Sequence, residues 1–134
     1  MKRTLSRIIA MQIIYNYNMN KVLDFTGIVD IISEEEVEYD ENYLKEIVNG
    51  VIDNQREIDF MISMNLKNYT LDRLSIVDRS LLELGTYELL FTTTPTNIVI
   101  NEIVEISKEY SELDDYKTSK FNNAVLDAIA KSRK

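Results

Sequence analysis

The chain has 134 residues, no Cys, no His and a formal net charge of -8. That inventory excludes Cys/His zinc sites, thiol nucleophiles, Ser-His-Asp triads and imidazole acid-base chemistry. The length suits one compact domain, or two small helical halves sharing a core, and leaves no room for a second catalytic domain.

No stretch approaches the roughly 18 consecutive apolar residues of a membrane span. The opening segment MKRTLSRIIAMQIIYNYN carries basic residues and an apolar run, but Gln12, Tyr15 and Asn16 interrupt it and no small-residue cleavage site follows. It therefore reads as a helix and not a signal peptide, and with no Cys for disulfides the expected location is the cytoplasm.

Apolar residues recur at helical spacing almost throughout, and Gly27, Gly50, Gly85 and Pro95 are the only strong breakers, so the expected fold class is all-α. A first helix spans about Thr4–Asn18, with Leu5, Ile8, Ile9, Gln12, Ile13 and Tyr15 on its buried and half-buried side. A second is expected over Val22 to about Ser33, followed by an acidic connection from Glu34 to Glu41. Asp40 suits the N-cap of a long third helix, a spine in which Tyr43, Leu44, Ile47, Val48, Val51, Ile52, Ile58, Met61 and Ile62 repeat at three and four. Thr70 starts a further helical stretch whose apolar residues, from Leu71 to Leu90, are dense enough to be buried on more than one side. Thr94 before Pro95 opens the next, since proline at the first helical position loses no hydrogen bond the helix would have made. After a polar break from Ser111 to Tyr116, Thr118 or Ser119 is expected to cap a last helix carrying Phe121, Val125, Ala128 and Ile129.

The acidic balance argues at first against nucleic acid, yet its distribution is uneven. Up to Val22 every charged residue is basic: Lys2, Arg3, Arg7 and Lys21. From Lys117 onward, Lys117, Lys120, Lys131, Arg133 and Lys134 face one acid, Asp127. If folding brings these ends together they form one cationic surface on an acidic body; otherwise they are two solvated tails. Phe121, directly after Lys120, is either a core aromatic or a ring on which a base stacks while the ammonium groups meet phosphates.

Other chemistry finds little support. Glu102, Glu105 and Glu109 share a helix side, but nothing orients a nucleophile near them. Each glycine stands alone, so no phosphate-cradling loop is present. Glu88, Asn101 and Glu102 fall inside apolar stretches, which makes them candidates for buried polar groups with structural partners.

The segments SRIIAMQIIY, YLKEIVNGV, RLSIVDRSLLELGTYELLF, VINEIVEISK and KFNNAVLDAI, in that order, resemble the NusB family over nearly the whole chain. The resemblance implies an all-α bundle of about seven helices in two packed subdomains, roughly 1–68 and 69–134. It also implies a non-enzymatic, cofactor-free and metal-free transcription antitermination factor that binds single-stranded boxA RNA beside NusE, a small-subunit ribosomal protein, in an elongation complex with other Nus factors. RNA contacts carry over onto Arg3, Arg7, Lys120 and Phe121, with Lys2 and Lys117 added from the two basic ends; partner contacts carry over onto Tyr15 and Asp78. Tyr15 also reads as a plain core aromatic and Asp78 as a surface acid. The chain departs from the family in lacking an arginine cluster before the first motif and in having Glu83 and Ala124 where arginine and glycine are common, departures that bear on RNA affinity and not on fold. The rival reading is an acidic protein-interaction module whose tails are merely solvated. A methyltransferase is ruled out, because the NusB-like domain of such enzymes precedes a Rossmann region that has no counterpart here.

Overall fold

The computed structural model describes residues 2–25, 38–67, 69–111 and 117–132. Among them are six α-helices and no strand: α1 (Lys2–Asn20), α2 (Glu41–Asp53), α3 (Gln55–Met64), α4 (Ile76–Phe91), α5 (Thr96–Tyr110) and α6 (Lys117–Ser132). The all-α expectation holds, and the helix number is close to that expected. Of the second expected helix, Val22–Phe25 are non-helical and the rest lies outside the described residues. Lys21 closes α1 in the left-handed region at φ 59°, its N–H donating to Tyr17 O at 2.7 Å.

The expected spine is two helices. Asp40 does cap α2, accepting from the Tyr43 N–H, but the ladder breaks at Asn54, whose N–H and side-chain amide both turn back onto Gly50 O. An amide side chain that competes for backbone acceptors ends the helix although the apolar rhythm continues. Leu71–Arg73 forms only a short 3-10 turn, and the true start of α4 is Ser75, whose Oγ accepts from the Asp78 N–H. Pro95 stands one residue ahead of α5, and α6 begins at Lys117, so Ser119, expected as a cap, is instead buried inside the helix.

α4 is the axis of the molecule. Its residues 80–89 are all buried, and it packs against each of the other described helices. Such a helix is apolar on every side because it has no solvent face. Two glycines permit the close approaches. A Cβ on Gly50 would stand 2.2 Å from the Tyr87 ring, which itself stacks on Phe91 with centroids 5.5 Å apart; a Cβ on Gly85 would meet the ends of Leu126 and Ile103 at 2.9 and 3.2 Å. Gly50 thus lets α2 lie on the Tyr87 ring.

The two buried carboxylates of α4 are paired across helices. Glu88, fully buried, accepts from Arg7 Nε at 2.7 Å and Arg7 Nη2 at 2.9 Å, and also from the Tyr43 hydroxyl. Glu83, also fully buried, accepts from Asn18 Nδ2 at 2.8 Å and Gln55 Nε2 at 3.1 Å. These bonds fix α1 antiparallel to α4, since early Arg7 meets late Glu88 and late Asn18 meets early Ser80 at 3.1 Å.

Candidate nucleic-acid interface

Arg7 does not sit where a phosphate contact must. Expected on the RNA surface, it is 3 % exposed, forked onto Glu88 and joined at Nη1 to Glu102 Oε1 at 3.2 Å. Thr4 Oγ1 donates to the same Glu102 oxygen at 2.6 Å. Burial alone would lower the guanidinium's pKa, but the hydrogen bond and charge of Glu88, with Tyr43 and Glu102, outweigh it and hold Arg7 above its ordinary value. The Tyr43 hydroxyl is raised by burial and by Glu88, so it stays a donor. Arg7 is a fully charged internal strut, and the correction follows from its burial. Of the three residues singled out as buried polar candidates, Glu88 is buried, Glu102 is half-buried and Asn101 is exposed.

Nor does the beginning of α1 meet the beginning of α6. Arg7 lies beside Glu88, near the C-terminal end of α4, whereas Asn122 of α6 donates to Asp78 Oδ1 at 3.2 Å near the N-terminal end. Residues 78 and 88 are about 15 Å apart along a helix rising 1.5 Å per residue. The beginning of α1 and the beginning of α6 therefore occupy opposite ends of the axis.

What gathers at the N-terminal end of α4 is a cleft of about 360 Å³ lined by Tyr69, Arg73, Leu74, Ser75, Asp78, Lys117, Thr118 and Phe121. Phe121, half-buried, meets the exposed ring of Tyr69 edge-on, centroids 5.8 Å apart and planes at 75°. Arg73 and Lys117, which line the cleft, are exposed cations, as is Lys120 immediately before Phe121 in the chain. The floor is built by capping: Ser75 Oγ donates to Asp78 Oδ2 at 2.8 Å while accepting from the Asp78 N–H at 3.1 Å, which satisfies orphan groups of the first turn and points the helix N-terminus at the cleft. Asn122, fully buried, ties this end to α5 by donating to Ser107 Oγ at 3.0 Å.

Asp78, expected at the partner surface, thus lines the same cleft as Phe121 and Lys117, expected at the RNA surface. Tyr15 is half-buried on α1, one turn before Asn18, and does not line the cleft. Arg3 is at the far end, exposed, with its guanidinium 4.3 Å over the Tyr43 ring. Nothing is described of the Lys2 side chain. Sequence reasoning missed Tyr69 and Arg73, although an aromatic in the polar stretch LKNYTLDR, flanked by Lys67 and Arg73, meets the criterion that singled out Phe121. Glu83, where the family often has arginine, faces the interior, its charge met by Arg79 Nε at 3.5 Å, and so does not add an acid to the cleft.

A model of the NusB family matches residues 4–131. The chain belongs to the NusB family. The transcription antitermination protein NusB of Listeria monocytogenes is 40% identical over 131 residues, 97% of this chain and 97% of its own length. Among solved structures, NusB of T. maritima superposes with a TM-score of 0.80 at 33% identity, covering 98% of this chain and 92% of that one. A second, of the antitermination factors NusB and NusE in complex with double-stranded RNA, has a TM-score of 0.78 at 29% identity, covering 97% and 96%. The NusB match thus covers the cleft and both faces of α4. Among the described residues no helix is long and apolar enough to cross a membrane.

Proposed function

We propose that this NusB-family protein is a transcription antitermination factor that holds boxA-type single-stranded RNA of ribosomal transcripts, together with NusE, in an elongation complex with other Nus factors. The observation that carries the RNA reading is the cleft: two rings set edge to face, one of them exposed, beside the exposed cations Arg73 and Lys117. Single strands are gripped in that way, bases stacking on aromatic faces while cations track the backbone. The preference for a single strand rests on those rings, because a duplex offers no free base face to stack on them. Further support comes from α1, which has no acidic residue in its first turn and carries Lys2 and Arg3 there. Cations at a helix N-terminus oppose the macrodipole, an arrangement that an anionic ligand relieves.

The acidic remainder of the chain, with Asp78 in the cleft and Tyr15 half-buried on α1, suits a basic ribosomal protein. RNA and partner then share an edge, and each strengthens the other's binding to the same degree. No catalytic step is assigned to any residue.

A specific observation favours the rival reading of a protein-interaction module: Arg7 is neutralised inside the fold, and the beginnings of α1 and α6 lie at opposite ends of α4. Titration of a labelled boxA strand against a scrambled strand and against a boxA duplex, with and without NusE, separates the two readings. The antitermination reading expects boxA single strand to bind best and NusE to tighten it. With about four cations able to reach phosphates, log affinity should fall with log salt at a slope of roughly -3. Equal binding of all three RNAs, or none, supports the interaction module.

A further inference from the structure

Arg3 is held differently from the ion-paired arginines Arg7 and Arg79. Those two meet carboxylates, whereas Arg3 makes no ion pair among the described residues and places its guanidinium carbon over an aromatic ring, 4.3 Å from the Tyr43 centroid. That ring is itself immobilised. Tyr43 is 5 % exposed, its hydroxyl donates to the buried carboxylate of Glu88, and the guanidinium of Arg7 lies 5.3 Å from its centroid. Glu88 in turn is pinned by the Arg7 fork, and Arg7 by Glu102. Each link is fixed by the next, from the C-terminal end of α4 out to the surface at the first turn of α1.

A guanidinium stacked by its face keeps its N–H donors in plane and pointing outward, the orientation a phosphate needs, and much of its rotamer freedom is already spent before ligand arrives. A lysine at the same place would keep the charge and lose the plane. Arg3 and Arg7 stand at i and i+4 on one side of α1, an arrangement that like charges disfavour. The Glu88 carboxylate and the Tyr43 ring offset that repulsion, and Arg7 is consumed in doing so.

We propose that Tyr43 is a positioning residue for nucleic-acid binding: its ring, locked by Glu88 and Arg7, is the platform that presents the Arg3 guanidinium to a backbone phosphate of the bound RNA. This rests on the RNA reading above. It gives the buried network of α1, α2 and α4 a function at the surface that its members, none of them exposed, do not perform directly.

The test is a thermodynamic cycle read by titration of a boxA single strand into the full-length protein. Arg3→Ala is expected to weaken binding about fivefold, the worth of a stacked cation. Tyr43→Leu should weaken it to a similar degree, and the double variant should bind no worse than either single one. Tyr43→Phe keeps the ring face and should rescue affinity to within about twofold of the wild type, though it leaves Glu88 one donor short. Arg3→Lys, which does not touch the core, should show most of the Arg3→Ala loss even if Tyr43→Leu fails to fold. Additive losses in the double variant, equal losses for Tyr43→Phe and Tyr43→Leu, or wild-type binding by Arg3→Lys would each overturn the proposal while leaving the RNA reading intact. Absence of boxA binding by the wild-type protein would overturn both.

Discussion

Glu88 shows how one side chain decides what a neighbour can do. A carboxylate with no exposure must be paired, and the pairing takes Arg7 out of solvent with it. The sequence carried half of this. Glu88 inside TYELLF reads as a buried polar group, but nothing in the spacing says that its partner lies 81 residues upstream, and Arg7 in a basic N-terminal segment reads as a surface cation. Burial of a charged residue is a property of the assembled fold, so residue type alone misassigns it. Glu88→Ala would leave Arg7 buried with only the half-buried Glu102 as partner and is expected to lower unfolding free energy by about 3 kcal/mol, measured by urea denaturation. A loss under about 1 kcal/mol would mean that Arg7 escapes to solvent when freed.

At the scale of helices, apolar rhythm located α1, α5 and α6 to within a few residues, while the bounds of α2, α3 and α4 were set by single polar groups that rhythm does not encode. Asn54 splits the expected spine, and Ser75, not Thr70, caps α4. Interhelical spacing depends on residues as small as Gly50. Gly50→Ala drives a methyl into the Tyr87 ring and is expected to destabilise by about 1–2 kcal/mol net of its gain in helix propensity. Gly85→Ala meets only the flexible ends of Leu126 and Ile103 and should cost less; thermal unfolding of the two variants checks the order. Equal melting temperatures would show that Tyr87 moves aside freely.

The junction of α3 and α4 makes a prediction in pH. Asp59 Oδ2 takes Arg79 Nη2 at 3.0 Å, and Arg79 is shared with buried Glu83. Burial, then Glu83, pushes Asp59 up from 3.8 to about 8, with Arg79 opposing. Its folded-state value lies above the unfolded one, so the native state holds an extra proton between those limits. Stability from this group is present at the acid end of the window, falls as pH rises towards 8, and is flat beyond. Asp59→Asn should flatten the slope of unfolding free energy between pH 5 and 8; an unchanged slope would place the titration elsewhere.

For the whole molecule, the beginnings of α1 and α6 proved to be separate features at opposite ends of one axis. Charge asymmetry was legible along the sequence, but its placement required knowing that α1 runs antiparallel to α4 and that Asn122 on α6 meets Asp78 on α4. The cleft was half legible, through Phe121, Lys117 and Asp78. Tyr69 and Arg73 come from a segment between helices, where periodicity is silent and only the fold brings them to α6.

That cleft is the centre of the account, and Tyr69→Ala probes it with least disturbance, because the ring is 54 % exposed. Affinity for a boxA single strand should be measured across a salt series for the wild type, Tyr69→Ala and Lys120→Ala. Loss of a stacking face should weaken binding by about 1–3 kcal/mol with the salt slope unchanged, whereas Lys120→Ala should make the slope shallower by about 0.7. Wild-type affinity in Tyr69→Ala, at every salt concentration, would contradict the assignment of this cleft to RNA.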